Sequence, residues 1–189
     1  MAAPPDFKKP ATYDDLRRVP DPMVAEILDG ELYATPRPAL RHAYATSALS
    51  SEIRGPFDAG RGGPGGWWIL YEPELHLRAD VVVPDLAGWR RDRVPAIPDA
   101  PAMTIAPDWV CEVLSTSTEA IDRGTKLAIY ARERVTNVWL VNPSTETLEA
   151  YTLADGAWRL SATHVGRAMV RAQPFEAIEL DLAALWAPA

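Results

Sequence analysis

Two acidic residues stand inside otherwise apolar runs. Asp85 follows three valines and a proline in VVVPDL, and Glu112 interrupts WVCEVL between Cys111 and Val113. An unpaired buried carboxylate is costly, so such a group must face a cavity, meet a cation or bind a metal. Strand alternation puts Glu112 on the same face as Val110 and Leu114. Taken singly, Asp85 reads as a turn residue after Pro84, and Glu112 as the partner of a buried arginine. On strands expected to be neighbours, the pair reads instead as an oxygen-ligand site for a divalent cation.

The segment after Glu112 adds Asp122 and Lys126. Four residues apart on an ordinary helix, they would form a surface ion pair. Here the helix starts where the Glu112 strand ends, with Leu127, Tyr130 and Ala131 as its packing stripe. Lys126 lies at the edge of that stripe, within reach of the carboxylates.

The elements that must position these groups follow from pattern. Residues 12–18 read as a short helix capped by Thr12 or Asp14. Residues 24–35 carry Asp29-Gly30 between two apolar arms, a strong hairpin signal, ended by Pro36 and Pro38. Residues 40–57 have helical spacing, and GRGGPGG breaks the chain after them. Strands are expected at 67–71, 74–78, 81–89 (interrupted by Pro84), 109–114 and 137–141, with a Pro/Ala-rich loop over 94–106. Thr116 to Glu119 has capping-box spacing and opens a helix reaching about Arg134. A second hairpin turns at Asp155-Gly156. The strand–helix–strand unit implies a parallel pair. The fold class is therefore α/β or α+β with a mixed sheet, in a single domain over 1–189 with its core at about 24–151 and residues 1–11 disordered.

Composition is that of an ordinary globular chain, 48% apolar and 24% charged. No apolar run is long enough for a membrane span, and the N-terminus lacks a signal-peptide pattern, so a cytoplasmic protein is expected. Cys111 is the single cysteine and reads as a buried thiol rather than a nucleophile. His42, His76 and His164 have no zinc-ligand spacing. The formal charge of −7 weighs against a high-affinity DNA-binding module without excluding a metal-dependent enzyme, because a bound cation reverses the local field.

The ordered series EILDGEL, a histidine-bearing helix, VVVPDL, PDWVCEVLSTST, IDRGTKLAIYAR and VWLVNP resembles one bacterial family. That family is described as putative restriction endonucleases, or a domain of unknown function, in the PD-(D/E)XK nuclease superfamily. The resemblance runs from about Glu26 to Tyr151. It implies a restriction-endonuclease-like fold and a Mg²⁺- or Mn²⁺-dependent nuclease acting on nucleic acid, with DNA the expected substrate. It matches Asp85 and Glu112 to the metal-binding acids, with the Val113 carbonyl as a further ligand. Leu114 stands where the superfamily has its lysine, and Lys126 matches the family's substitute on the helix. Glu26 matches an acidic position that could complete the site, and His42 matches a family position without an assigned role. Asn142 departs from the more usual Asp.

Two other readings compete. A non-catalytic partner-binding or regulatory module would explain the net acidity and the seven tryptophans, most of which are read as core. A homodimer could form through the strands after Leu148, Trp158 and the apolar tail IELDLAALWAPA. The Arg90, Arg91 and Arg93 loop is equally a nucleic-acid approach or a solvated turn.

Overall fold

The computed structural model describes residues 9–188. The disorder expected for residues 1–11 falls, for residues 1–8, outside the described part. Ala11 is tied down, its N–H donating to the Gly30 carbonyl at 2.8 Å.

A six-stranded mixed sheet forms the centre. Its strands are β3 (Trp67–Tyr71), β6 (Leu86–Arg90), β7 (Trp109–Val113), β8 (Asn137–Asn142), β9 (Thr147–Ala154) and β10 (Ala157–Val165). They lie in the order β10-β9-β8-β7-β6-β3, and only β7 and β8 run parallel. A smaller antiparallel sheet is built from β1 (Val24–Leu28), β2 (Glu31–Thr35), β4 (Leu75–Leu77) and β5 (Asp80–Val82), in the order β2-β1-β5-β4. The run expected as one interrupted strand at 81–89 thus serves two sheets. Pro84, which cannot donate to a ladder, stands at the crossing. Asp85 is at that crossing, free of both ladders.

Both hairpin signals form. Asp29 and Gly30 have φ of 49° and 81°, and Asp155 and Gly156 have 53° and 78°, the paired positive values that such two-residue turns require. Asn142 ends β8 by accepting from the N–H groups of Ser144 and Thr145. A turn residue is what that position uses, and Asn supplies it as well as Asp.

Helix α1 (Tyr13–Leu16) is capped by Thr12, whose side chain bonds reciprocally with Asp15. Helix α2 (Leu40–Ile53) continues into a π-helical turn, Arg54–Asp58. The segment after β7 is α3 (Glu119–Ile121), a π-helical turn (Asp122–Lys126) and α4 (Leu127–Arg132). The expected capping box at Thr116 is absent: the helix starts two residues late, and Thr118 at its cap makes no side-chain cap bond. The Ser115 hydroxyl bonds those of Ser117 and Thr118 instead.

The two faces of the central sheet carry separate cores. On one face α2 packs with Trp67, Trp109, Trp139, Phe175, Leu182, Leu185 and Trp186. Phe175 touches four aromatic rings at centroid distances of 4.6–5.5 Å. On the other face Val110, Leu114, Val138 and Leu140 pack with the small sheet and with Ile129 and Tyr130 of α4. Of the packing stripe expected from Leu127, Tyr130 and Ala131, Tyr130 is buried and Leu127 packs half-buried against the same core; Ile129 joins them, while Ala131 is only half-buried. The apolar tail is corrected too. Leu182, Leu185 and Trp186 are buried in the chain's own core, so they are not a partner's surface. Cys111 is buried in the same cluster, with burial pushing its thiol up, as an inert core residue should be.

Candidate active site

Four elements and one crossing loop converge on Lys126. Its ammonium lies 3.0 Å from Glu26 on β1, 3.3 Å from Glu112 on β7 and 3.5 Å from Asp122 in its own helix. Asp85 stands beside them on the crossing after β5. One oxygen accepts the Val113 N–H at 2.7 Å, and the other lies 3.2 Å from Nε2 of His42 on α2. Glu26 also accepts the Val83 N–H at 2.8 Å, which fixes it against the crossing loop. The sequence-derived set of Glu26, Asp85, Glu112 and Lys126 is therefore brought together, with His42 added through Asp85.

The helix geometry explains why Asp122, Lys126 and Tyr130 all face inward. In a regular α-helix, positions four apart drift by about 40° around the axis, so three successive ones spread over about 80°. The π-helical turn over Asp122–Lys126 winds more slowly and offsets that drift. Asp122 and Lys126 are consequently buried at 3% and 5% exposure, where an ordinary helix would leave a surface pair. Tyr130, expected only as packing, donates its hydroxyl to a Glu112 oxygen in a short hydrogen bond.

Electrostatics in the cluster are those of carboxylates crowded around a single ammonium. Burial pushes the Glu112 carboxyl well above the usual range. Lys126 opposes the shift, whereas the charges of Asp122, Asp85 and Glu26 add to it. Asp122 is raised by burial, against the pull of Lys126 and a hydrogen bond from Thr118. For Lys126, burial alone would favour the neutral amine, but Glu112, Glu26, Asp122 and Asp85 outweigh it and hold the ammonium charged. His42 follows the same logic: burial lowers it, and Asp85, Asp122 and a backbone bond to Val113 bring it above its ordinary value.

These groups open into a cleft of about 300 Å³. Residues 35–39 form one rim, and the hydroxyl-bearing residues 115–118 line another part. The Arg90–Arg93 loop is not part of it. Asp85 precedes β6 and Arg90 ends it, so about 17 Å of strand separates them. Arg91 pairs with Asp58 at 2.7 Å and stacks over Trp68, and Arg93 pairs with Asp108 at 2.9 Å. That loop is structural. Among the described residues no cluster of three or more Asp, Glu, His or Cys side chains stands ready in metal-ligating geometry, because Lys126 occupies the space between the acids. Among the described residues no helix is long and apolar enough to cross a membrane.

The mixed sheet with its buried acidic cluster defines a protein of the restriction-endonuclease-like fold class. A family model described as "Uma2: Putative restriction endonuclease" matches residues 10–183, and the chain belongs to that family. The match reaches well beyond the stretch from Glu26 to Tyr151 that carried the resemblance, taking in the first helix and the C-terminal segment as far as residue 183. The fold is also that of a solved protein from Anabaena variabilis ATCC 29413, described as a putative nuclease belonging to DUF820. The two share 22% identity at a TM-score of 0.73, over 94% of this chain and 98% of that one. No curated protein matches the chain.

Proposed function

We propose that this chain is a metal-dependent nuclease hydrolysing nucleic-acid phosphodiester bonds, an endonuclease acting on DNA, within a single restriction-endonuclease-like domain. The observation that carries the reading is the convergence of Glu26, Glu112 and Asp122 on one ammonium, with Asp85 beside them on the wall of the same open cleft. Family membership and the nuclease description of the Anabaena protein support it.

The donor set fits Mg²⁺ or Mn²⁺. It consists of hard oxygen atoms, carboxylates and a backbone carbonyl, and a single lysine leaves the cluster with excess negative charge. Asp85, Glu112 and the Val113 carbonyl would hold the ion, which when bound polarises a phosphate oxygen and acidifies its water. The remaining work belongs to the chain. Lys126 donates to the attacking water or to the phosphate and stabilises the charge that develops there. His42 and the Val113 N–H orient Asp85, and Tyr130 fixes one oxygen of Glu112. Glu26 accepts from the water opposite.

Supercoiled plasmid and labelled oligonucleotides incubated with Mg²⁺ or Mn²⁺ test this directly. Cleavage abolished by a chelator and by Asp85→Ala is expected. Intact nucleic acid of every form, together with no metal uptake by calorimetry, would overturn the reading. In that event the second reading stands, a binding module retaining the fold. One observation favours it: the Lys126 ammonium already lies against Glu26, Glu112 and Asp122, where a cation would otherwise sit. The homodimer is likewise a proposal, supported by the outer strand β10 with its exposed Leu160 and Val165. Light scattering across a dilution series decides it.

A further inference from the structure

The guanidinium groups of this acidic chain are largely committed to carboxylates. Arg54 and Arg91 pair with Asp58, Arg93 with Asp108, Arg123 with Glu149 and Arg132 with Asp80. Among the described residues Arg37, like Arg17, Arg41, Arg61, Arg90, Arg134 and Arg171, belongs to no ion pair, but it is the only arginine lining the cleft, and it is exposed. The other cation of the cleft, Lys126, is buried and paired.

Its backbone is also held. Arg37 sits between Pro36 and Pro38 in the connection from β2 to α2. Pro36 has a fixed φ, and a residue preceding proline is confined to extended conformations. The Arg37 backbone is therefore preorganised on the cleft rim, so placing its long side chain costs less entropy than on a free loop. Tyr71, more than half exposed, stands close by. Its hydroxyl donates to Glu72, a residue of the cleft wall, and feels the charges of both Asp85 and Arg37.

We propose that Arg37 is a substrate-positioning residue that clamps a backbone phosphate next to the one being cleaved. The inference rests on the nuclease reading and adds the group that would bind the chain of phosphates. A guanidinium suits that role because it meets phosphate oxygens bidentately. It also supplies the positive charge that an acidic site needs to admit a polyanion. Being at the rim, away from Glu112 and Lys126, Arg37 contributes to binding in the ground and transition states alike. Its loss should therefore appear in KM and leave kcat nearly unchanged.

The experiment compares wild type with Arg37→Ala, Arg37→Lys and Arg61→Ala, using fluorescent oligonucleotides over a salt series. Binding is read with Ca²⁺, and cleavage with Mg²⁺ or Mn²⁺. Arg61 is an exposed arginine beyond the far end of α2, so its variant removes the same charge away from the cleft. For Arg37→Ala we expect KM and Kd to rise about tenfold, kcat to change less than about twofold, and the salt slope to flatten by roughly 0.7–0.9. Arg37→Lys should recover the slope but only part of the affinity. If wild type binds or cuts and Arg37→Ala matches Arg61→Ala in slope and KM, the clamp is overturned while the nuclease reading stands. If wild type neither binds nor cuts nucleic acid of any form, both fall.

Discussion

The Lys126 ammonium lies 3.0 Å from a Glu26 oxygen, joining the helix that connects β7 and β8 of the central sheet to the first strand of the smaller one. Both side chains are more than nine-tenths buried. A buried charge with its partner removed is strongly destabilising, commonly by about 3–5 kcal/mol. Lys126→Met should therefore lower the stability of the metal-free protein by about 3 kcal/mol in urea denaturation and abolish cleavage. Because a divalent cation would replace the missing charge, Mn²⁺ should restore part of that stability. An unchanged urea midpoint would show that the ammonium does not hold the cluster together.

Asp85 and Glu112 can be neutralised without changing their shape. Asp85→Asn keeps an oxygen to accept the Val113 N–H, so the fold should survive, as circular dichroism would show. Titration calorimetry with Mn²⁺ should show affinity falling by more than about 100-fold for Asp85→Asn and for Glu112→Gln, beyond the loss typical of residues that only support a ligand. Wild-type affinity in either variant would place the cation elsewhere.

Tyr130 tests the support of Glu112. Tyr130→Phe retains the buried ring and deletes the hydroxyl that bonds to the carboxylate. The lost bond should cost about 1–3 kcal/mol. Because the bond also orients a proposed ligand, Mn²⁺ affinity should fall by roughly 10- to 100-fold. A loss of stability with wild-type metal affinity would assign Tyr130 to packing alone.

His164 on β10 gives a pH dependence separate from the site. Its Nε2 is buried without a partner, and burial holds the imidazole below its ordinary value. A base with a lowered folded-state pKa binds fewer protons folded than unfolded, so stability rises with pH. The benefit is lost as pH falls through the unfolded value of about 6.5. Thermal midpoints of wild type should drop between about pH 7 and pH 5 more steeply than those of His164→Leu. His42, shifted the opposite way, is present in both proteins and cancels in the comparison. Parallel curves would exclude His164 as a contributor.

Much of this was legible in the sequence because local rules decided it. The Asp29-Gly30 and Asp155-Gly156 turns need positive φ wherever they occur, and the runs around Asp85 and Glu112 are too apolar to lie on a surface. Carboxylates inside such runs announce a site before any neighbour is known. Tertiary structure alone decided the rest. The π-helical turn that aims Asp122 and Lys126 inward depends on the sheet they pack against, and no residue type at 122–126 specifies it. Tyr130 looked like packing because its phenol is both, a ring for the core and a donor for Glu112. Arg90, Arg91 and Arg93 looked available because charge is visible in sequence and its neutralisation is not. Asp58 and Asp108 meet two of them only after β6, β7 and the turn following α2 have come together. Residue identity fixes what chemistry a chain can do, whereas burial and distance, which arise between segments remote in sequence, fix which residues do it.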